Sequence, residues 1–454
     1  MSRLILRGLL ICALLLLAGC ASSARFPDNP PLVSARPAIT PVTPDSTMVL
    51  LTLSGGGSRA SAFAYGVMQA LARIPVHGST TAGSLLDEVN LISAVSGGSI
   101  IAAYYGLHGD RLFRDFRADF LERDVRDEIR QRMVSLDNLS RLSSTTFGSG
   151  DVLDEYFREK LYGEHALGEL FDERGPMVII NATDLFKGSR FGFTPELFSL
   201  ICSDSEHFPV ARAVAASSAV PLIFTPITLK NRAGSCDYPT PDWIRVGLGE
   251  RLDNPRRYRL ARTWSRYLLQ PEHPYIHLLD GGLADNLGLR ALSDRIIIHD
   301  GLDDGLGQRV IGQAKRIVLI EIDAAARLPS EWEKQPDHPP QSVILDAAST
   351  TPLSNYNFET RAYLHSRIGP WVKNNGGTCP DGNDCQPELY IIEVNLEAGQ
   401  STLDGVPLSN LPTDFRLPPG AVDALIQEGN MLLHGHPEFR RLLRDLQGEG
   451  AGRR

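Results

Sequence analysis

Two strand-to-helix junctions constrain this chain more than any other feature. Thr47–Leu53 is an apolar run of buried-strand type that breaks at Ser54-Gly55-Gly56-Gly57-Ser58-Arg59 into a helix-like run from Ala60 to Arg73. Further on, Val89–Val95 breaks at Ser96-Gly97-Gly98 into a helical stretch from about Ser99 to Leu107. Apolar runs followed by glycine turns and helical periodicity are the mark of a layered α/β sheet. Functional groups then gather at the strand ends.

Each junction also carries chemistry. Ala94-Val95-Ser96-Gly97-Gly98 is close to the Gly-x-Ser-x-Gly elbow, where a sharp turn lifts a serine out of the sheet. A Gly/Ser loop with no catalytic role is the plainer reading of those five residues alone. Gly55, Gly56 and Gly57 open a helix and can aim successive N–H groups at one point, with the positive end of the helix dipole behind them. A phosphate loop would need Gly-Lys-Ser/Thr where Arg59-Ala60 stands, and a dinucleotide fingerprint a third glycine at Ala60. The run therefore suits an oxyanion.

A serine needs a base, and none of the eleven histidines sits in a setting that singles it out. His434 and His436 fall at a helix end, where capping explains them. Asp280 follows the apolar strand Tyr275–Leu279 and precedes Gly281-Gly282, a corner where a carboxylate can meet a serine from a neighbouring strand. It can act as a base only if desolvation raises its pKa.

The rest of the chain continues the alternation. Leu112 to Met133 has the spacing of an amphipathic helix or two, Val152 to Leu161 is helical, and Met177 to Ala182 is a strand with Arg190 to Thr194 as half of a hairpin. Val210 to Val220 is a small-residue helix leading into a strand from Ile223 to Leu229, and further strands fall at Arg316–Ile322 and Leu389–Val394. Ala421–Leu433 and Pro437–Leu446 read as closing helices, and residues 447–454 as a frayed tail. Asp300 to Gly305 lacks the spacing of a calcium loop and reads as a turn.

Composition limits the partners. A chain of 454 residues with 43% hydrophobic and 22% charged residues buries a real core, and a formal charge of -9 argues against nucleic acid. Residues 1–19 have a signal-peptide layout, with Arg3 and Arg7 before the apolar run Leu9–Leu17 and then Leu17-Ala18-Gly19-Cys20. This resembles a bacterial lipobox and implies lipidation of Cys20, a lipid anchor, and placement in the cell envelope, at the outer membrane facing periplasm or surface. Residues 20–46 read as a floppy Pro/Ser-rich tether. In an exported protein the cysteines left after Cys12 and Cys20 are expected to pair as Cys202–Cys236 and Cys379–Cys385. Zinc is the rival, disfavoured by irregular spacing and the absence of nearby histidines.

Ser54-Gly55-Gly56-Gly57-Ser58-Arg59 with Tyr65-Gly66-Val67, Val95-Ser96-Gly97-Gly98-Ser99, Ala215-Ala216-Ser217-Ser218-Ala219-Val220-Pro221 with Phe224 and Pro226, and Asp280-Gly281-Gly282 resemble the patatin-like phospholipase family in the family's own order. The resemblance spans about Thr47 to Leu289, with a weaker echo from Leu411 to Leu433. It implies a three-layer α/β/α sheet with helices on both faces and inserted segments, within a catalytic domain at 47–446. It further implies a Ser–Asp dyad without histidine: Ser96 as nucleophile, Asp280 as base, and Gly55, Gly56, Gly57, Ser58 and Arg59 as the oxyanion loop. The activity implied is phospholipase A or lysophospholipase-like cleavage of lipid carboxylic esters, with no metal or organic cofactor. A non-enzymatic lipid-binding or scaffolding lipoprotein is the alternative. Ala94 and Ala60 stand where the family commonly has glycine, which bears on turn geometry and loop packing.

One segment departs from the acidic whole. Within an insertion at about 237–274, Trp243 to Leu269 interleaves seven arginines with Trp243, Tyr258, Trp264 and Tyr267. A solvated helical insertion is the simpler reading; a lid or a membrane-docking surface is the other.

Overall fold

The computed structural model describes residues 25–33, 47–76, 83–172, 175–269, 272–299, 314, 316–326, 330–334, 336–374, 377–378, 384–385 and 388–451. The leader, Cys12, Cys20, Cys379 and the turn at Asp300–Gly305 lie outside the described residues, as does any Cys379–Cys385 bridge.

Ten strands are needed to describe the site: β1 (Thr47–Leu53), β2 (Val89–Val95), β3 (Met177–Asp184), β4 (Ser189–Gly192), β5 (Ile227–Lys230), β6 (Tyr275–Asp280), β7 (Arg316–Asp323), β8 (Gly377–Thr378), β9 (Asp384–Cys385) and β10 (Glu388–Asn395). The main sheet runs β10-β7-β1-β2-β3-β6-β5, with β4 paired to β3 and β8–β9 as a separate ribbon. From β10 through β3 the pairing is parallel. Strands β6, β5 and β4 are added antiparallel. Strands β1, β3 and β7 are buried at every position, which is why their stretches Met48–Leu51, Met177–Ile180 and Ile317–Ile320 read as apolar runs, whereas the edge strand β10 alternates.

Helices cover both faces. Successive side chains of a strand point to opposite faces, and β1 divides accordingly. Val49, Leu51 and Leu53 join Phe63, Val67, Ile100 and Leu425 in one core, while Met48 and Leu50 join Leu292, Ile296, Leu364 and Ile368 in another. The first core packs under the helices Gly57–Ala72, Gly97–His108 and Ala421–Gly435, and the second under Arg290–Ile298 and Gln341–Asn374. This is the three-layer arrangement.

Local departures have physical causes. The amphipathic stretch after Leu112 is broken into Leu112–Phe116, a wider turn at Arg117–Leu121 and Val125–Met133, whose start is capped by Asp124 accepting from the N–H of Asp127. The strand expected from Ile223 begins only at Ile227, because Leu222, with φ 71°, and its neighbours form a turn. The last helix runs Pro437–Ala451, into the expected tail.

The tether is also not wholly floppy. Asn29 is 1% exposed; its amide donates to Ser203 Oγ (2.8 Å) and accepts from the Lys230 N–H (2.8 Å), while Asp28 pairs with Lys230 and Arg232. Residues 25–33 are thus clipped beside the Cys202–Cys236 disulfide, where Leu32 N–H meets the Cys202 carbonyl.

Candidate active site

The sheet brings two strand ends together. Strand β2 follows β3 in parallel up to the pair Val95↔Asn181, and β6 comes down from the opposite direction to Ala182↔Asp280. Residues separated by 184 positions therefore finish at adjacent places on β3. Ser96 Oγ donates a 2.7 Å hydrogen bond to Asp280 Oδ2.

Ser96 occupies an unfavourable backbone well, with φ 48° and ψ −121°. A non-glycine residue there costs on the order of 1–3 kcal/mol and persists only if its surroundings hold it. Its N–H donates to Ser217 Oγ (2.8 Å), and Ser217 gives its own proton to the Asn181 carbonyl (2.6 Å). With that proton committed, the 2.8 Å contact between Ser99 and Ser217 has Ser99 as donor. Sequence reasoning assigned no role to Ser217 or Asn181, although Ser217 lies in the small-residue motif.

The small residues of the elbow are required by contact. A Cβ on Gly97 would lie 2.0 Å from the Gly57 carbonyl oxygen, and one on Gly98 2.7 Å from those of Leu53 and Ser54. Ala94 instead lies within the sheet, in register with Leu53 and Ile180, and the elbow forms with its methyl in place.

Asp280 is held from several sides. Oδ1 accepts the Gly282 N–H (2.8 Å), its own N–H donates to the Ala219 carbonyl (3.0 Å), and Thr183 Oγ1 donates to its carbonyl (2.8 Å). Burial pushes its carboxyl up to about 6, against the lowering effect of the Ser96 and Gly282 hydrogen bonds. At neutral pH it is ionised and still a usable base. No histidine bonds to either residue among the described residues. His277, on the same strand, contacts Thr228, and burial lowers its pKa.

The glycine loop lies beside Ser96, since a Cβ on Gly55 would be 3.3 Å from Ser96 Cβ. Its five residues differ in their hydrogen bonding. The Gly55 N–H is taken by the Asn286 carbonyl (3.0 Å) and the Ser58 N–H by the Asp414 carbonyl (2.9 Å). The N–H groups of Gly56 and Gly57 have no partner among the described residues and stand at the positive end of the Gly57–Ala72 helix. Gly57, at φ 59°, would carry a Cβ 2.5 Å from the Asp414 carbonyl oxygen. Arg59 is fully buried, and its guanidinium donates to the Ala324 and Leu411 carbonyls and to Thr413 Oγ1. Burial lowers its pKa to about 10, partly offset by Asp323. The arginine ties the loop to the end of β7 and to the segment before the Ala421–Gly435 helix.

The Ser96–Asp280 pair is closed over, with Ser96 3% and Asp280 8% exposed. The open depression lined by His108, Asp119, Lys160 and His165 at the far end of the Gly97–His108 helix includes neither residue. Cys202 and Cys236 form a disulfide away from this site. Among the described residues no group of three or more His, Cys, Asp or Glu side chains could hold a metal ion.

The family model described as "Patatin-like phospholipase" matches residues 51–293. Among solved structures, human GIVD cytosolic phospholipase A2 aligns with a TM-score of 0.45 at 11% identity, covering 88% of this chain and 60% of that one. VipD from Legionella pneumophila aligns with a TM-score of 0.31 at 11% identity, covering 93% of this chain and 71% of that one. No curated protein matches. The chain thus spans less than two thirds of the phospholipase's length.

Proposed function

The chain belongs to the patatin-like phospholipase family, and from that premise we propose that it is a lipid acyl hydrolase working through Ser96 and Asp280. The reading rests above all on the 2.7 Å hydrogen bond from a hydroxyl on a strained elbow to a carboxylate that burial has made basic. Ser96 Oγ attacks the ester carbonyl as Asp280 takes its proton. The carbonyl oxygen becomes an oxyanion facing the Gly56 and Gly57 N–H groups. Asp280 returns the proton to the departing alcohol, leaving an acyl group on Ser96. Water, deprotonated by Asp280, then attacks the acyl carbon; the bond from that carbon to Ser96 Oγ breaks, Asp280 returns the proton to Ser96 Oγ, and the fatty acid leaves.

Three of the loop residues support the turn instead of binding the oxyanion: Gly55 and Ser58 through their engaged N–H groups and Arg59 through its three oxygen acceptors. The substrate class proposed is a glycerophospholipid or lysophospholipid. The protein is proposed to act in the cell envelope, exported and lipid-anchored through Cys20.

A fluorophosphonate probe tests the mechanism: wild type should be labelled at Ser96, and Ser96→Ala should not. A folded wild-type protein that resists labelling and hydrolyses no acyl ester would overturn it, leaving a lipid-binding or scaffolding lipoprotein. Incorporation of labelled palmitate, lost in Cys20→Ala, tests the anchor.

A further inference from the structure

Residues 242–269 carry seven arginines against three acids, in a chain whose formal charge is -9. They fold as two packed helices, Asp242–Gly249 and Pro255–Leu268, mounted by Ile244, Gly247, Leu260, Ala261 and Ser265 on their inner side. Trp243, Trp264 and Tyr267 also pack toward the core. Trp243 and Trp264 meet edge to face at 5.1 Å, and Tyr267 is buried with its hydroxyl on Asp184.

What remains outside is mainly cationic and apolar, with two exposed acids, Asp242 and Asp253. Arg256, Arg259, Arg262 and Arg266 recur at three- and four-residue steps and so form one ridge. Arg245 is paired with Asp242, Arg257 with Glu250, and Arg256 lies over the Tyr363 ring. Arg251, Arg259 and Arg262 are exposed and have no ion pair or hydrogen bond from their side chains among the described residues. Close to Arg245 and Arg251 in sequence, Val246 is 51%, Leu248 39% and Leu252 89% exposed.

We propose that this outer face docks the protein on an anionic phospholipid bilayer, with the arginines at the headgroups and Val246, Leu248 and Leu252 in the acyl boundary. Charge complementarity names an anionic partner. The exposed aliphatic side chains favour a bilayer over a nucleic acid, because a phosphate backbone offers them nothing to be buried in. In sequence the surface precedes β6, the strand that ends at Asp280. The proposal stands apart from the catalytic reading, since docking does not require Ser96 to react.

Co-sedimentation with vesicles tests it on the full chain. The probes are phosphatidylcholine alone and phosphatidylcholine with about one third phosphatidylglycerol. The variants are Arg251→Glu/Arg259→Glu/Arg262→Glu and Val246→Ser/Leu248→Ser/Leu252→Ser, each checked by thermal melting. All, wild type included, carry Cys20→Ala, so no acyl anchor contributes. Wild type should bind the anionic vesicles at least tenfold more tightly than the neutral ones. Charge reversal should weaken anionic binding on the order of a hundredfold. The serine variant should still bind at low salt and release as salt screens the arginines. Equal wild-type binding to both vesicles, or charge-reversed protein binding like wild type, overturns the proposal. So does tight binding to duplex DNA without anionic-vesicle preference, which would mark a nucleic-acid surface.

Discussion

Asp280 and Asp285 lie five residues apart, both buried, and burial pushes both carboxyls up to about 6. Their neighbours differ. Asp280 receives the Ser96 hydroxyl and one backbone N–H. Asp285 receives the Arg290 N–H and feels the charges of Arg290, Arg190 and Asp294. A raised pKa therefore marks two carboxylates here, and only one of them touches a hydroxyl on a strained elbow, the geometry that the proposed acyl transfer requires. Perturbed acidity locates a candidate; geometry selects it.

The largest expected effect tests that selection directly. Asp280→Asn should lower kcat/KM on a short acyl ester by about 10³–10⁴, approaching the loss in Ser96→Ala, because the two groups act as a unit. Asp285→Asn should stay within about tenfold of wild type. Comparable losses in both asparagine variants would break the distinction.

Next in size is the loop, which changes the oxyanion's surroundings without touching either carboxylate. Gly57→Ala places a methyl against the Asp414 carbonyl at a φ that alanine resists. Displacement of its N–H should cost about 10²–10³ in kcat. Full activity in a folded Gly57→Ala protein would remove Gly57 from the oxyanion site.

The pH profile sharpens the comparison further. A base must be ionised, so kcat/KM should rise with pH, level off above about 6, and fall about tenfold for each unit below it. The same inflection should persist in Asp285→Asn. If it moved with that substitution, the titrating group would be Asp285.

The contrast between the two carboxylates also shows how far the sequence could be read. Ser96, Asp280 and the glycine loop were legible because each ends or begins an element whose period is plain, and because strand-end turns demand small residues. The engagement of Gly55 and Ser58 was not, since their acceptors belong to Asn286 and Asp414, hundreds of residues away. The acceptors of Arg59, at Ala324, Leu411 and Thr413, were equally invisible in the sequence. Asn181 and Ser217 support the elbow across three elements, and nothing local in their sequence announces it. The layered fold was legible from alternation. The reversed direction of β6, which brings Asp280 onto Ser96, appears only in the registers.

The smallest effect is one the two carboxylates should share. Each has a folded pKa of about 6 against an ordinary value of 3.8, so the folded protein holds each proton to higher pH than the unfolded chain does. The associated stability is fully present below about 3.8 and is lost as pH rises through about 6. By pH 8 each ionised carboxylate has cost roughly 3 kcal/mol relative to its protonated form. Asparagine cannot ionise, so Asp280→Asn and Asp285→Asn should both gain stability relative to wild type between pH 4 and pH 8, read as the difference in urea midpoints at the two pH values. A gain confined to one variant would mean that the two sites do not share a desolvation cost. Equal gains alongside unequal kinetics would separate what burial does to a carboxylate from what a neighbouring hydroxyl lets it do.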